Sequence, residues 1–455
     1  MRVEHDCCTQ TLPSVLDHFF GITAPRLKAL AERWNPAQGT PVFTRQGKYT
    51  SRGWTEWTQG FLYGCRLLCF DAAGDEALLD SGRQDTLRYM APHLSHVGVH
   101  DHGFNNLSTY GNLRRLALEG RSTDSEDLIR LYELALKVSG AVQASRWTKI
   151  HGGGGFIHSF NGPQSLFVDT IRSCRILVVA HTLGHRLMGE NDEAISLLSR
   201  AMDHIRATLQ YNVYYGKGRD YYDVRGRVAH ESIFNVADGR YRCPSTQQGY
   251  SAFSTWTRGL AWGLLGCAEQ LEFFRDYPSL CEEQEDGKAF PEVLEEGARA
   301  MADFYLENTP SDGVPYWDTG APGLAEMGDY LNRPAEPDND WEPVDSSAGA
   351  IAAQGLLRLG LYLGEKGEGA LYYRAGMQLA QRLFTAPYLS EDPAHEGVLL
   401  HSVYHRPNGW DYIPDGKKIP QGESSLWGDY HAMELAVCCS RLLKKETPLR
   451  FYQKI

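Results

Sequence analysis

The sequence predicts an all-α fold in which paired helices close into a ring, an (α/α)6 toroid, with short strands and loops at its rim. Six segments begin with aromatic or small polar residues and continue into runs of small apolar residues. A helix that is apolar on nearly every side is a buried one, so these segments predict an inner layer. They begin 47 to 88 residues apart, at Trp57, Phe104, Asp169, Thr257, Asp345 and Trp427.

The third segment shows the pattern most clearly. Between Asp169 and Leu187 the apolar residues cover most of the circumference of a helix. They include Ile171, Cys174, Ile176, Leu177, Val178, Val179, Ala180 and Leu183. We therefore predict one buried helix over 169–187.

Amphipathic stretches follow four of the buried segments and predict an outer layer of helices. They cover residues 77–90, 193–209, 292–307 and 370–384. Gly, Asp, Asn and Glu residues between the layers supply helix ends and new N-caps. An open solenoid of helical hairpins is the alternative, but the unequal spacings and the rim loops favour a closed ring.

Strand-like alternation is sparse, and no shift in composition marks a domain boundary. Residues 228–236, 241–250 and 399–404 are predicted to form short strands or rim loops. We therefore expect residues 1–455 to form a single domain, with its core over about 50–440.

Charge, hydropathy and cysteine content argue against a nucleic-acid partner, a membrane span and a disulfide-bonded secreted protein. The chain of 455 residues carries a formal net charge of −12 and has no basic block, which argues against a nucleic-acid partner. No run of about 18 apolar residues predicts a membrane span, and residues 1–14 show no secretory signal. Ten cysteines, with vicinal pairs at Cys7-Cys8 and Cys438-Cys439, are typical of reduced thiols in a cytoplasmic protein.

Two carboxylates stand where buried helices begin. Asp101 precedes the second inner helix and Asp169 begins the third. In a toroid these helix ends meet at one rim, so the two groups could share acid/base work. Burial would raise the pKa of Asp169, whereas the helix N-terminus would favour its charged form. A purely structural role as N-caps is an equal alternative from spacing alone.

Other side chains with binding chemistry lie at similar positions. Arg258 and Trp262 share one face of a helix, and an Arg beside an aromatic ring suits a sugar that carries a carboxylate. A capping Arg and a core Trp are an equal alternative. Gln248, before a turn-like Gly-Tyr-Ser, could present its amide to hydroxyl groups; His230 could bond a ligand, although a lone His is more often structural. We expect no metal site and no cofactor, although a histidine-rich loop offers His93, His96, His100 and His102.

Eight motifs in order make the chain similar to the unsaturated glucuronyl hydrolases of glycoside hydrolase family 88. Among them are Trp-Thr-Gln-Gly-Phe at 57–61, His-Asp-His-Gly-Phe at 100–104 and Phe-Val-Asp-Thr at 167–170. The others lie at 248–251, 256–263, 313–318, 345–348 and 427–430. The resemblance covers residues 50 to 440 and is specific because the motifs stay in register.

The resemblance implies an activity and roles for individual residues. Such enzymes remove a 4,5-unsaturated uronic acid from the non-reducing end of an oligosaccharide by hydrating its C4=C5 bond. Asp169 resembles the general acid and base, and Asp101 resembles the second essential carboxylate. Trp57 and Phe61 resemble the aromatic wall. The resemblance also implies substrate contacts by His100, His230, Gln248, Arg258 and Trp262. Among these, Arg258 is a candidate for binding the uronate carboxylate.

Where the chain departs from the family pattern, the sequence does not indicate the aglycone, which is the saccharide attached to the unsaturated uronate. Gly154 stands where the family often has an aromatic residue, and Phe156 or Phe160 could replace it. The loop over 411–425 carries Lys417 and Lys418, which could meet a second acidic group or be solvated. The alternatives are an unsaturated rhamnogalacturonyl hydrolase and a non-catalytic carbohydrate-binding toroid. We expect a monomer or a homodimer in the cytoplasm.

Overall fold

A computed structural model describes residues 1–4, 10–52, 57–281 and 288–452. The vicinal pair Cys7-Cys8 lies outside these residues. The α-helices of the described ranges are α1 (Leu12–Arg33), α2 (Gln59–Ala73), α3 (Glu76–Tyr89), α4 (Ala91–Leu94), α5 (His102–Asn106), α6 (Asn112–Leu118), α7 (Glu126–Ser145), α8 (Thr170–Ser173), α9 (Arg175–Thr182), α10 (Leu197–Tyr211), α11 (Thr257–Asp276), α12 (Phe290–Glu307), α13 (Ser346–Leu363), α14 (Ala370–Leu383) and α15 (Leu426–Leu443).

Short strands accompany the helices. They are β1 (Pro41–Arg45), β2 (Lys48–Ser51), β3 (Trp147–Lys149), β4 (Gly155–Ile157), β5 (Ser165–Phe167), β6 (Leu187–Met188), β7 (Ala194–Ile195), β8 (Glu231–Phe234) and β9 (Tyr241–Ser245). Four small antiparallel sheets result, of which one has three strands in the order β5-β8-β9.

Inner and outer helices alternate along the chain, which confirms the predicted toroid. The inner positions belong to α2, α5 with α6, α8 with α9, α11, α13 and α15, and each begins within two residues of its predicted start. The outer positions belong to α1, α3, α7, α10, α12 and α14. The last inner helix packs against the first, so the helices form a closed ring and not an open solenoid.

The inner helices are buried because their small residues let neighbours approach closely. Every residue of α13 from Ser346 to Gly360 is buried. A Cβ on Gly355 in this helix would lie 2.8 Å from Leu264 and 3.0 Å from the backbone nitrogen of Leu265, in α11. Only a residue without a side chain fits there, which explains the glycine-rich composition of the inner layer.

Several element boundaries differ from the prediction. The third inner helix ends at Thr182 and not at Leu187, because the chain turns at Gly184 (φ +78°) and Leu187–Met188 pairs with Ala194–Ile195. That hairpin also delays the outer helix predicted from residue 193, which begins at Leu197. The outer helices α1 and α7 were not predicted. Residues 399–404 form no named strand, and only Leu399 makes an isolated bridge, to Leu389.

Ion pairs occupy the middle of the ring. Arg172, with no exposed side-chain surface, donates to Glu434 at 2.7 Å and lies 3.3 Å from Glu269. Arg358 pairs with Glu272 at 2.5 Å. Each of these buried charges is thus compensated by a partner, as burial in a low-dielectric interior requires.

No helix in the described ranges is both long enough and apolar enough to cross a membrane. The eight cysteines outside the pair at 7–8 are free thiols, and Cys438-Cys439 is buried.

Candidate active site

A cavity opens where the inner helices begin. Seven of the nine residues predicted from the sequence line it. They are Trp57, His100, Asp101, Asp169, Gln248, Arg258 and Trp262. The other two, Phe61 and His230, lie behind its wall.

The two carboxylates belong to loops that are fastened to each other. A Cβ on Gly103 would lie 2.0 Å from the carbonyl oxygen of Ser173, so only glycine permits this approach of α5 to α8. The hydroxyl of Ser173 donates to the carbonyl oxygen of His100 at 2.7 Å and accepts from the Gly103 N–H at 2.9 Å. Asp101 and Asp169 precede α5 and α8 without capping either helix through their side chains. Both carboxylates are therefore left for other chemistry, and the role of simple N-caps is excluded.

His100 lies between the two carboxylates. Its Nε2 is 3.3 Å from Oδ2 of Asp169 and 3.8 Å from Oδ1 of Asp101. One ligand atom from each of the three residues falls within 4.8 Å of the others, so this is the group in the described chain that could hold a metal ion. Nitrogen and oxygen ligands at this spacing suit a small divalent cation, but the same contacts serve proton exchange.

Burial and mutual contacts shift the pKa values of the cluster His100, Asp101 and Asp169 in different directions. Burial raises the pKa of Asp101 and the charge of Asp169 adds to this increase, although His100 opposes it. Burial would raise the pKa of Asp169 too, but contacts with His100 and His230 outweigh it and lower that pKa below its usual value. Burial disfavours charged His100, yet the two carboxylates raise its pKa. The environment thus favours a carboxylate at Asp169 and a proton near His100 and Asp101.

His230 approaches Asp169 from the side opposite His100. Its Nδ1 accepts the backbone N–H groups of Gln247 at 3.0 Å and Gln248 at 3.3 Å. Two donors at Nδ1 place the single imidazole proton on Nε2. That atom lies 3.6 Å from Oδ1 of Asp169. Sequence reasoning placed His230 against the ligand, whereas the structure places it against Asp169.

The sheet β5-β8-β9 explains how these distant residues meet. Phe167 at the end of β5 pairs with Glu231 at the start of β8, and Glu231 pairs with Ser245 at the end of β9. This pairing places three parts of the chain side by side. They are Asp169, which follows Val168, then His230, which precedes β8, and the turn 246–250, which follows β9.

Arg258 has five hydrogen-bond partners inside the protein. It donates to Asp345 at 2.5 Å, to the carbonyl oxygens of Val403 and Tyr404 at 2.6 and 2.9 Å, to Oε1 of Gln248 at 3.2 Å and to the Ser347 hydroxyl at 3.5 Å. Its charge is therefore compensated before any substrate enters. The guanidinium also fixes the Gln248 amide, a role that the sequence did not indicate.

Aromatic rings form much of the cavity wall. Trp57 and Trp262 line it as expected, but Phe61 has no exposed surface and meets Trp57 edge-on, with ring centroids 5.9 Å apart. Phe61 supports the wall and does not reach the cavity. Of the two replacements considered for Gly154, Phe160 lines the cavity and stacks on His100, whereas Phe156 is buried.

Sequence reasoning missed part of the wall. Phe167 and Trp256 lie inside motifs that were noted for other residues, so the signal was present. The loop residues Tyr404, His405 and Trp410 carry no periodic pattern that could have revealed them. All five line the cavity.

Two other groups of residues considered from the sequence are the histidine-rich loop and the lysines of the 411–425 loop. In the histidine-rich loop, Nδ1 and Nε2 of His102 contact the Ser139 hydroxyl and the His96 carbonyl at 2.9 Å, so its ring is held in the packing. Lys417 and Lys418 pair with Asp338 and Asp340 at 2.6 and 2.8 Å on the exposed surface. These pairs favour the solvated-loop alternative for both lysines.

Comparison with known proteins supports the resemblance seen in the motifs. The chain is 25% identical over 427 residues to an unsaturated glucuronyl hydrolase of Bacillus sp. strain GL1, covering 91% of this chain and 93% of the relative. It is 23% identical over 389 residues to an unsaturated chondroitin disaccharide hydrolase of Streptococcus agalactiae, covering 84% and 81%. No protein-family model matches the chain.

The fold is shared with solved structures of the same enzymes. The crystal structure of the Bacillus sp. GL1 unsaturated glucuronyl hydrolase superposes with a TM-score of 0.70 at 23% identity, over 95% of this chain and 97% of its own. An unsaturated glucuronyl hydrolase specific for heparin gives a TM-score of 0.71 at 20% identity, over 95% and 100%. The predicted resemblance is thereby confirmed: over nearly its whole length this chain is similar in sequence to unsaturated glucuronyl hydrolases, and it shares their toroidal fold.

Proposed function

We propose that this protein is a glycoside hydrolase that removes a terminal 4,5-unsaturated glucuronic acid from oligosaccharides by hydrating the C4=C5 bond. The observation that carries the proposal is the pair Asp101 and Asp169, joined through His100 in a cavity with aromatic walls. The pair supplies the proton donor and the base that hydration needs. The aromatic rings suit the faces of a sugar.

The reaction balances with water as its only co-reactant. A proton adds to C4, and positive charge develops at C5, where the ring oxygen shares it. Water adds to C5 and gives up a proton to the enzyme, so the site regains the proton that it donated. The resulting hemiketal opens to a ketone, and the hemiacetal left at C1 releases the aglycone as an alcohol.

Asp169 performs the proton transfers in this proposal, and His100 supplies its proton. In the free protein the lowered pKa keeps Asp169 charged beside His100. A substrate carboxylate entering the cavity brings a second negative charge, which raises the pKa of Asp169. The proton then moves from Nε2 of His100 to Oδ2 of Asp169, 3.3 Å away, and from there to C4. The regenerated carboxylate accepts the proton of the attacking water.

Asp101 and the cavity residues hold the sugar. Asp101 faces the ring hydroxyls and stabilises the developing positive charge. Gln248 contributes its amide, Arg258 contacts the uronate carboxylate while it remains paired with Asp345, and Trp57 and Trp262 pack against the ring.

The solved neighbours are named with different saccharides, so a panel of substrates is needed to identify the aglycone. One neighbour is described as specific for heparin, and others were solved with dGlcA-GalNAc6S or with dGlcA-Glc-Rha-Glc. The sugar dGlcA comes first in both of these bound ligands. We propose the same terminal sugar here, without a cofactor and in a monomer or homodimer. The free cysteines support a reducing compartment such as the cytoplasm, and we propose residues 1–455 as one catalytic domain.

The test is a panel of lyase-generated unsaturated disaccharides with different second sugars and sulfate positions. Hydration removes the ultraviolet absorbance of the C4=C5 bond, so loss of absorbance with wild type identifies the substrate. Unsaturated rhamnogalacturonan fragments form a second arm. Folded protein that consumes only those would transfer the assignment to pectin fragments. Folded protein that binds but consumes none would indicate a carbohydrate-binding toroid.

A further inference from the structure

The motif at 313–318 ends in a buried carboxylate that the proposed mechanism does not use. Asp318 has no exposed surface. Its Oδ2 accepts the backbone N–H of Tyr250 at 2.8 Å, and its Oδ1 accepts that of Gly320 at 2.8 Å. The carboxylate therefore connects the loop after the motif with the turn 246–250, which is 68 residues away in sequence.

The turn 246–250 is shaped closely around that carboxylate. The N–H of Gly249 donates to the Thr246 hydroxyl at 2.8 Å. A Cβ on Gly249 would lie 2.7 Å from that hydroxyl oxygen and 2.9 Å from Oδ2 of Asp318. No side chain fits at this position unless Thr246 or Asp318 moves. The position of Asp318 thus determines the path of the turn.

The same turn holds His230. Its Gln247 and Gln248 N–H groups both donate to Nδ1, so the imidazole presents an Nε2–H to Oδ1 of Asp169. The ring is also held between Phe167 and Trp256, with centroids 4.4 and 4.7 Å away. Without the two N–H groups, Nδ1 could carry the proton, and the Nε2 lone pair would then face a carboxylate. That arrangement repels Asp169 and loses the donor.

We infer that Asp318 is a positioning residue for catalysis, which acts through the turn 246–250 to keep the His230 proton on Nε2, directed at Asp169. This inference rests on the proposed function for its kinetic consequence. The tautomer of His230 is a property of the resting protein and can be measured whether or not a substrate is known.

The first arm measures the tautomer directly. Protein with ¹⁵N-labelled histidine is compared by NMR for wild type and Asp318→Asn, with His230→Gln used to assign the His230 signals. The amide introduced by Asp318→Asn retains one acceptor oxygen and loses the second. We expect wild type to show an unprotonated Nδ1 and the variant to show a mixture of tautomers. An unchanged His230 spectrum in a folded variant overturns the inference, even if no substrate is ever found.

The second arm is a double-mutant cycle on the hydration reaction. We expect Asp318→Asn to lower kcat about 10-fold with a smaller change in KM, because the turn acts on Asp169 more than on the sugar. If Asp318 acts through His230, Asp318→Asn adds little to the loss caused by His230→Gln. Losses that multiply in the double variant, or an unchanged kcat, contradict the inference.

Asp312→Asn is the matched control for both arms. The Asp312 side chain is 10% exposed, and its Oδ1 accepts the N–H groups of Val314 and Ala335 at 3.3 and 3.1 Å. Its Oδ2 lies 3.3 Å from Nε of Arg382 in α14, and none of these contacts involves the turn 246–250. A general loosening of this part of the chain would affect both variants alike. We expect Asp312→Asn to leave the His230 tautomer and kcat unchanged.

Discussion

The Nε2 atom of His100 lies 3.3 Å from Oδ2 of Asp169, inside a buried cluster that also contains Asp101. Groups this close exchange protons and titrate together, so the pKa values belong to the cluster and not to one residue. The contact also explains why Asp169 stays charged despite its burial. Each substitution in the cluster is therefore expected to affect the other two members.

Replacing the carboxylate of Asp169 is the most direct test of the proposed mechanism. Asp169→Asn preserves the shape of the side chain but cannot donate or accept the transferred proton. We expect kcat to fall by about 10²–10⁴-fold or more. The measurement is the loss of absorbance of the C4=C5 bond on the best substrate of the panel.

Asp312→Asn serves as the control for this substitution because Asp312 is a largely buried carboxylate outside the cavity. Both variants should show wild-type circular dichroism. If Asp169→Asn retains near-wild-type kcat, Asp169 does not carry the chemistry.

Close packing of two loops is expected to set the geometry of the cluster. In Gly103→Ala the new methyl group would lie 2.0 Å from the Ser173 carbonyl oxygen, so α5 must move away from α8. We expect a loss of stability of about 1–3 kcal/mol and a fall in kcat, because Asp101 moves relative to Asp169. Chemical denaturation and the absorbance assay measure the two effects.

Gly21→Ala tests the specificity of that effect. Gly21 is in α1, and a Cβ there would meet no atom within 4 Å. Ala should stabilise this helix by up to about 1 kcal/mol and leave kcat unchanged. Equal behaviour of the two Gly variants would show that the contact with Ser173 is unimportant.

The buried pair Arg258 and Asp345 predicts a large effect on folding. Arg258→Gln leaves Asp345 buried without its cation, and removing one partner of such a pair costs about 3–5 kcal/mol. The free energy of unfolding from denaturant titration measures this cost. A role of Arg258 limited to the substrate carboxylate would instead raise KM and leave stability unchanged.

A surface pair provides the comparison for Arg258. Lys417 lies 2.6 Å from Asp338, with much of both side chains exposed. Lys417→Gln should change the free energy of unfolding by less than about 1 kcal/mol. A similar cost for both substitutions would mean that burial does not decide the effect.

Stability should depend on pH through Asp318. Burial raises the pKa of Asp318 to about 6, and the charge of Glu342 adds to this increase, while hydrogen bonds from Gly320 and Tyr250 oppose it. In the unfolded chain the pKa of Asp is about 3.9. The folded state therefore binds this proton more tightly, and its contribution to stability is largest at low pH and is lost as pH rises through about 6.

The measurement compares wild type with Asp318→Asn, which cannot titrate. The free energy of unfolding of wild type minus that of the variant should fall by about 2 kcal/mol between roughly pH 4 and pH 7. Asp223 gives the control, because backbone N–H groups lower its pKa. The corresponding difference for Asp223→Asn should not fall over this range, and a flat difference for Asp318→Asn would refute the assignment.

Much of the fold could be predicted because burial leaves a pattern in one dimension. The six inner helices are apolar on all sides, and their predicted starts lie within two residues of the observed ones. The outer helices α3, α10, α12 and α14 were predicted from their amphipathic pattern, whereas α1 and α7 were missed although they share that pattern. The early end of the third inner helix depends on the pairing of β6 with β7, which is a contact between segments and not a local preference.

By itself, the sequence determined the toroid, the place of the two carboxylates at the starts of inner helices and the similarity to unsaturated glucuronyl hydrolases, because each depends on local motifs and their order. Only the tertiary structure decided how those residues are arranged around the cavity. It placed His100 between the carboxylates, turned His230 toward Asp169, paired Arg258 with Asp345 and moved Phe61 behind the wall. These outcomes depend on distances between segments far apart in the chain, and such distances are set by helix packing and sheet pairing.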